Sequence, residues 1–524
     1  MKNFKTLILI ICVVLFSNTI FAQVLNDYRS NGTGNWSNAG IWERYTGTAW
    51  VGASTAPTGS GTITVQTADS VFINALVTIT GTLKNQGKLG GTGSLTIASG
   101  GTYSHDQIAG SIPVCTWATG STCRVTGYTT GSKPNNSNQN FHNFVWDCTG
   151  QTANIDVAWT GNIIGGDIRI LSTGTARLQM AAPATYTDPI TINGNIFVSG
   201  GQFASNGSSS AATITVTTKG NITVTGGNFS VSRGSGPDVT WNLWGNFSVS
   251  NAVLQNSGAF PKINKLVFAG TTPQTISLEN VTYGTGTSHF TMEVKGGSTV
   301  DIGTNVINSS NTGSFLLLDG AALRTAHPGG ISGSIQCTGA SSGGGNSFSS
   351  SANYFFNGSD QQVTSASMPA TVKDLTINNT GGVALSQPTT VNGILYLTSG
   401  VLDNCINNVT VPAANIVIGT GSYLCTPNSV EIIDGIPQSF YVEQNYPNPF
   451  NPLTTIKYGL PTESFVTVKV FNLLGQEVAE LFDGRQNAGV HELNFGASNI
   501  VSGVYFYRIQ TDKTVEVKQM LLLR

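Results

Sequence analysis

Between residues 193 and 254 one arrangement of apolar, polar and glycine positions occurs three times. The copies are NGNIFVSGGQF (193–203), KGNITVTGGNF (219–229) and WGNFSVSNAVL (244–254), offset by 26 and then 25 residues. Looser copies are GSLTIASGGTY (93–103), GDIRILSTGTA (166–176), GSFLLLDGAAL (313–323), NGILYLTSGVL (392–402) and ANIVIGTGSYL (414–424). The shared pattern is small–x–apolar–x–apolar, a glycine or small residue, then another apolar position. Apolar residues two apart share one face of a strand, and the glycine permits a bend before a second short strand begins. One such unit cannot bury its apolar face alone, but stacked on neighbours of the same kind it can. The pattern predicts an all-β chain, with a right-handed parallel β-helix or β-solenoid over 60–430. Asn195, Asn221 and Asn246 fall at strand edges, where asparagine suits turns and stacked side-chain ladders. The competing fold is a string of small β-sandwiches, which would need about seven strands per ~100 residues. The roughly 25-residue period favours the solenoid.

Residues 23–59 precede the repeats and carry Trp36, Trp42 and Trp50. They read either as a cap plugging the open end of the first coil or as a sugar-stacking platform. A longer cassette links 266–307 to 354–404: an aromatic strand, Gly, Gln, an M-x-V or L-x-I strand, and a Gly-bounded strand. It resembles cassettes in large exported, adhesin-like surface proteins of the Bacteroidetes type.

Composition agrees with a polar, extended β structure. Glycine supplies 63 of 524 residues, charged residues are 10%, and the formal net charge is −2. That balance gives no electrostatic basis for nucleic-acid binding. Residues 1–22 read as a signal peptide: Lys2 and Lys5, an apolar run from Leu7 to Phe16, and Ala22 before Gln23. Ten apolar residues are too few to span a bilayer, so the expectation is export through the periplasm to the outer cell surface or beyond. Removing Cys12 with that segment leaves six cysteines. Cys405 and Cys425, 20 residues apart, could bridge adjacent coils, and Cys115 with Cys123 could pair within a loop. No C-x-x-C or clustered histidine points to zinc.

The chain changes character near its end. From Gln23 to Val430 there are 31 charged residues in 408, and from Pro437 to Arg524 there are 15 in 88. This marks a linker at 431–439 and a separate domain at 440–524. Seven alternating segments between turn signals predict a small antiparallel β-sandwich. The stretch NYPNPFNP holds Pro447, Pro449 and Pro452. Proline fixes φ and lacks a donor, so this collar should stay out of the sheet ladder while Phe450 packs inward. Pro447, Asn448, Pro449, Phe450 and Asn451, Gly475 within VKVFNLLGQEV, Gly489, Gly503 and Tyr505 within SGVYFYRI, and the basic-apolar end from Lys518 resemble the type A C-terminal sorting domain of type IX secretion substrates. That resemblance implies recognition by the outer-membrane translocon and its sorting machinery, then attachment to surface lipopolysaccharide or release.

Chemistry in the body is sparse. Between 60 and 425 there are 14 acidic residues, and no two lie within two positions of each other. Paired carboxylates for glycoside cleavage are therefore not visible. His105 and Asp106 are adjacent, but alternation sends them to opposite sides of a strand. No nucleophile elbow, metal-binding HExxH or phosphate loop occurs. The sequence predicts no catalytic, cofactor or metal site. It points to an exported structural or adhesin-like protein with glycans as possible partners. A secreted β-helix polysaccharide lyase or glycoside hydrolase is the alternative.

Overall fold

A computed structural model describes residues 23–181, 186–206, 213–233, 238–256, 264–283, 291–308, 313–337, 345–425, 437 and 439–523. Residues 1–22, read above as a signal peptide, most of the predicted linker and the start of the Gly-rich stretch 341–350 lie outside these residues. The chain divides into two units, 1–428 and 429–524.

The first unit is a parallel β-solenoid with three faces. Its longest ladder holds nineteen strands, three of which, Tyr28–Ser30, Trp42–Tyr45 and Trp50–Gly52, belong to the N-terminal cap. The other sixteen stack in parallel from Thr62–Val65 to Ile416–Ile418. The second face holds an eight-stranded ladder from Ile163–Ile164 to Ser347–Phe348, and the third a six-stranded ladder from Ile155–Asp156 to Thr282–Tyr283. The three closest repeats are in register. Ile196 pairs with Ile222 and Ile222 with Phe247 on the long face, while Phe203, Phe229 and Leu254 stack on the third. All six are buried in one continuous core. The looser copies at 93–103 and 313–323 begin on the second face, in Leu95–Ile97 and Ser314–Leu317, and only their trailing apolar positions reach the long face.

The corner between the second and long faces is built from a Gly–Asn or Gly–Asp dipeptide. The Asn195 side-chain oxygen accepts the Asn221 amide (2.9 Å), Asn221 accepts that of Asn246 (2.7 Å), and Asn246 accepts that of Thr275 (2.8 Å). Upstream, Asn143 serves Asp167 and Asp167 serves Asn195, both at 2.9 Å. Side chains thus bond the backbone amides where the chain turns out of the strand ladder. The preceding residue must be glycine. A Cβ on Gly220 would stand 2.5 Å from the Gly194 carbonyl oxygen, and one on Gly245 would stand 2.4 Å from that of Gly220.

The glutamine of the longer cassette proves to be a buried staple. Gln274 Oε1 accepts from the Gly270 amide (2.8 Å), and its Nε2 donates to the carbonyls of Leu243 (3.0 Å) and Gly245. Gln362 repeats this with Gly358 (2.9 Å), Thr325 (3.1 Å) and His327 (2.9 Å). The two cassettes sit one face apart. Asn264–Phe268 lies on the second face, whereas its counterpart Asn353–Phe356 lies on the long face.

At the N-terminus, Tyr28–Ser30 pairs antiparallel with Trp42–Tyr45 and parallel with Thr62–Val65, laying a strip over the first rung. Trp36 and Trp42 are buried with ring centroids 5.0 Å apart. Their indoles donate to the carbonyls of Pro57 (3.1 Å) and Trp36 (2.9 Å). The third, Trp50, is half-buried and lies under the Arg29 guanidinium at 4.6 Å. No open tryptophan platform is formed by these three rings. At the other end a disulfide joins Cys405 to Cys425, with Cα atoms 5.1 Å apart. Cys115 and Cys123 are free thiols, so the loop pairing does not form.

The second unit has two antiparallel sheets: Tyr441–Val442 with Leu453–Leu460 and Gly489–Gly496, and Glu477–Gln486 with Ser464–Asn472, Gly503–Gln510 and Val515–Leu522. Their inner faces share one core, including Ile456, Tyr458, Val468, Tyr507 and Met520.

Ile222 and Gln362 test the stack directly. Ile222→Asp should destabilise the solenoid by at least ~4 kcal/mol, because it places an unpaired carboxylate between buried coils. Chemical denaturation followed by circular dichroism measures it, and an unchanged midpoint would contradict the stacked register. Gln362→Leu should cost about 2–4 kcal/mol by orphaning a buried amide and two carbonyls. Substitution at exposed Gln361 is the control.

Candidate functional site

In the tail, the collar residues converge on a hydrogen-bonded hub. Buried Asn445 donates three bonds, its amide to Tyr507 Oη (3.0 Å) and its Nδ2 to the Pro447 carbonyl (3.1 Å) and Thr454 Oγ1 (2.9 Å), and its Oδ1 accepts from Gln444 Nε2 (2.7 Å). Tyr507 in turn donates to the Glu443 carbonyl (2.7 Å). The bonds preceding Pro447 and Pro449 are both cis. Phe450 is buried against Phe495, with centroids 5.9 Å apart. The prolines stay out of the ladder, but Phe450 does not. Its amide donates to the Leu521 carbonyl (2.9 Å), its carbonyl accepts from Leu523 (3.0 Å), and Asn448 Oδ1 accepts from Leu521 (2.8 Å). The collar is therefore fastened to the last strand of the chain.

Residues 444–522 match the family model of the secretion system C-terminal sorting domain. This tail is a type IX sorting signal. It implies a secreted protein that engages the type IX machinery and reaches the cell surface or the extracellular space. Within the sorting domain, Gly475 adopts φ +75° in the turn after Ser464–Asn472, which glycine takes at no steric cost. Gly489 and Gly503 open their strands. Tyr505 is buried and donates to the Val501 carbonyl (2.8 Å), Asn451 is exposed, and Lys518 lies opposite Tyr507 in the last strand. The hub residues Asn445, Thr454 and Tyr507 carry no proline or glycine signal, and reading the motif alone misses them. No curated protein and no solved structure matches the chain.

The outward faces of the solenoid are short polar columns. On the long face Thr223, Ser248 and Ser277 are consecutive outward partners. On the second face Thr215 is followed by Thr240, Lys265 and Thr291, and beside them run Thr191, Thr217 and Asn242. Some of the charges pair across coils: Lys84 with Asp106 (3.0 Å), Arg124 with Asp147 (2.7 Å) and Lys265 with Glu293 (2.5 Å). Arg169 bonds Asp167 (3.0 Å) and lies 4.1 Å from the Phe197 ring centroid.

His105 and Asp106 part company as alternation requires. His105 is fully buried; its Nδ1 meets Tyr103 Oη (3.1 Å) and its Nε2 the Ala109 carbonyl (2.8 Å). The carbonyl assigns the proton to Nε2, so Nδ1 accepts from the tyrosine. Burial pushes this imidazole below its ordinary range. Asp106 faces outward to Lys84, Ser104 and Thr126. Burial opposes its charge, but bonds from Thr126 and Ser104 and the Lys84 ammonium hold it below the usual carboxylate range. The two form no dyad.

Asp156 is the one carboxyl of the body whose affinity for a proton is markedly raised, to about 6. Burial on the third face is the cause, offset in part by the Ala158 amide at 2.9 Å and by Lys133. Two shallow grooves of about 450 and 440 Å3 lie along the corners. The first is lined by Gly174, Gly201, Gly227 and Asn251, which occupy the same corner in four coils and share positive φ. The second is lined by Trp117 and the amides of Asn138, Gln139, Asn140 and Asn162. Among the described residues no three His, Cys, Asp or Glu side chains are grouped to hold a metal ion.

Because the folded pKa of Asp156 lies above the unfolded value, its proton favours the folded state, and that contribution is lost as pH rises through about 6. Asp156→Asn keeps the acceptor for the Ala158 amide and removes the charge. It should raise stability at pH 7.5 by roughly 1–2 kcal/mol, allowing for partial solvent screening. The gain should vanish near pH 4. Denaturation midpoints at the two pH values check this, and an equal gain at both would contradict it.

Proposed function

We propose that this chain is an exported adhesin-like protein, carried by a Sec signal peptide at 1–22 and by the sorting domain, whose solenoid presents polar faces to glycans. The observation that supports this reading is the set of stacked hydroxyl and amide columns, Thr223–Ser248–Ser277 and Thr191–Thr217–Asn242. Equivalent side chains recur about every 4.8 Å along a rigid face, which suits weak contacts summed over many sugar units. Three outward acids of the long face, Asp106, Asp147 and Asp167, are each held by a cation, Lys84, Arg124 and Arg169. Anchoring to surface lipopolysaccharide and passage through the periplasm belong to the same proposal.

Deleting 437–524 should leave the solenoid folded but retained inside the outer membrane. Cell fractionation with surface protease treatment reads this out, and a protease-accessible truncated protein would contradict the sorting role. A glycan array with the full chain tests the body. Binding that weakens at least tenfold in a Thr223→Lys, Ser248→Lys double variant is expected, whereas release of reducing ends from a polysaccharide would replace the adhesive reading with an enzymatic one.

A further inference from the structure

The sorting domain exposes apolar side chains unevenly. Tyr446, Leu453, Leu473, Leu474, Val501 and Leu523 are each half or more exposed, Leu474 the most at 83%. Strand register gathers these six at one end of the two sheets. Asn472 pairs with Tyr505, so the turn at 473–476 stands beside the start of Gly503–Gln510, with Val501 just before it. Gly503 pairs with Leu522, which brings Leu523 to the same place. The Phe450 carbonyl accepts from the Leu523 amide (3.0 Å), the Pro452 carbonyl from that of Ala497 (2.8 Å), and the Tyr446 carbonyl from that of Thr455 (2.9 Å). These bonds tie the collar, Leu453 and the loop at 497–501 to that end as well.

The leucine pair is held outward by a fixed turn. Asn472 Oδ1 accepts from the amides of Leu474 and Gln476, both at 3.0 Å, and its Nδ2 donates to Gln476 Oε1 (2.8 Å). With Gly475 in the left-handed region, the backbone reverses there and both leucines stand in solvent. Single exposed apolar residues are ordinary on a protein surface, but a cluster of them marks a contact site. At the far end the exposed apolar residues Phe465, Val490 and Val515 reach 54% at most. Charge is arranged in the opposite sense. Among the described residues 446–454, 472–476, 497–503 and 521–523 there is no Asp, Glu, Lys or Arg, whereas the turns at the far end carry Glu463, Asp512 and Lys513. Glu477, which follows the leucine turn, is paired with Lys469 (3.0 Å), and Arg524 lies outside the described residues.

We infer that this uncharged end, centred on Leu473 and Leu474, is the surface through which the tail docks on the type IX machinery, in an apolar recess of one of its proteins. The inference rests on the sorting-domain match and deepens it by naming the contact. Protein interfaces are depleted of charge at their core and bury apolar side chains there, which this end supplies and the far end does not. A lipid surface fits less well. Membrane-lying segments offer Lys or Arg to headgroups beside their apolar residues, and none is found at this end among the described residues. The sorting motif gains a role from this placement. Its collar, Gly475 and Gly503 build the docking end, whereas Gly489 opens its strand at the far end, opposite Leu460, and Lys518 lies mid-strand.

The full chain is expressed with Leu473→Ser and Leu474→Ser together, with Val501→Ser, and with Val515→Ser and Val517→Ser as a control pair away from this end. All of these side chains are more than half exposed, so the thermal midpoints of the purified chains should match the native one. Cell fractionation with surface protease treatment reads export. The surface fraction should fall about tenfold in the leucine pair, the scale of losing buried leucines from an interface. It should fall in Val501→Ser as well and stay native in the control pair. If the leucine pair unfolds the domain, Val501→Ser decides by itself. Native surface levels in the leucine pair and in Val501→Ser, alongside retention of the chain lacking 437–524, overturn the docking end and leave the sorting signal standing. Surface display of the truncated chain overturns the sorting reading and the docking end with it. Two further measurements separate other occupants. Flotation of the purified native chain with phosphatidylethanolamine–phosphatidylglycerol vesicles, abolished in the leucine pair, would give the end to lipid. A native dimer in sedimentation that the leucine pair converts to monomer would give it to a second copy. Either outcome overturns the machinery as its occupant.

Discussion

The structure depends on one repeated contact: the backbone of each coil bonding the backbone of the next, carried around corners by side-chain oxygens. In a strand the ladder satisfies every amide, but at a corner the chain turns away from it. Asn143, Asp167, Asn195, Asn221 and Asn246 fill that gap in succession, each oxygen accepting the amide one coil on. The glycine before each of the last four lets the corners approach to a distance no Cβ permits. Where the corner recipe changes, buried Gln274 and Gln362 take over the task from within.

Much of the composition follows from this constraint. Equivalent side chains on adjacent coils stand about 4.8 Å apart, so an unbroken column of like charge repels itself. A solenoid can hold isolated charges, or charges of alternating sign such as Lys265 and Glu293 on neighbouring rungs. Threonine, serine and asparagine stack without that cost, and threonine favours the extended backbone as well. The low charge of the body is thus explained by stacking before any ligand is considered.

The same physics decides what could be read from the sequence. The alternation and the ~25-residue period carried the solenoid, because a strand–corner–strand unit has a strong local pattern. They did not carry the phase. The copies at 93–103 and 313–323 match the motif yet start on a different face, since all three corners of a coil reward a glycine after an apolar strand. The longer cassette misleads in the same way, one face out of step. The staple role of its glutamine was also hidden, as it depends on carbonyls about 30 residues away. In the tail, prolines and glycines bound every strand and the seven segments stand out. The Asn445–Thr454–Tyr507 hub joins residues up to 62 apart and leaves no local mark.

Two kinds of polar group therefore need separate explanations. Asn221 and Thr223 lie two residues apart on one coil, and only the first is used by the fold: its oxygen holds the next coil, whereas the Thr223 hydroxyl faces outward. Residues of the second kind are where function should be sought, because the stack would stand without them.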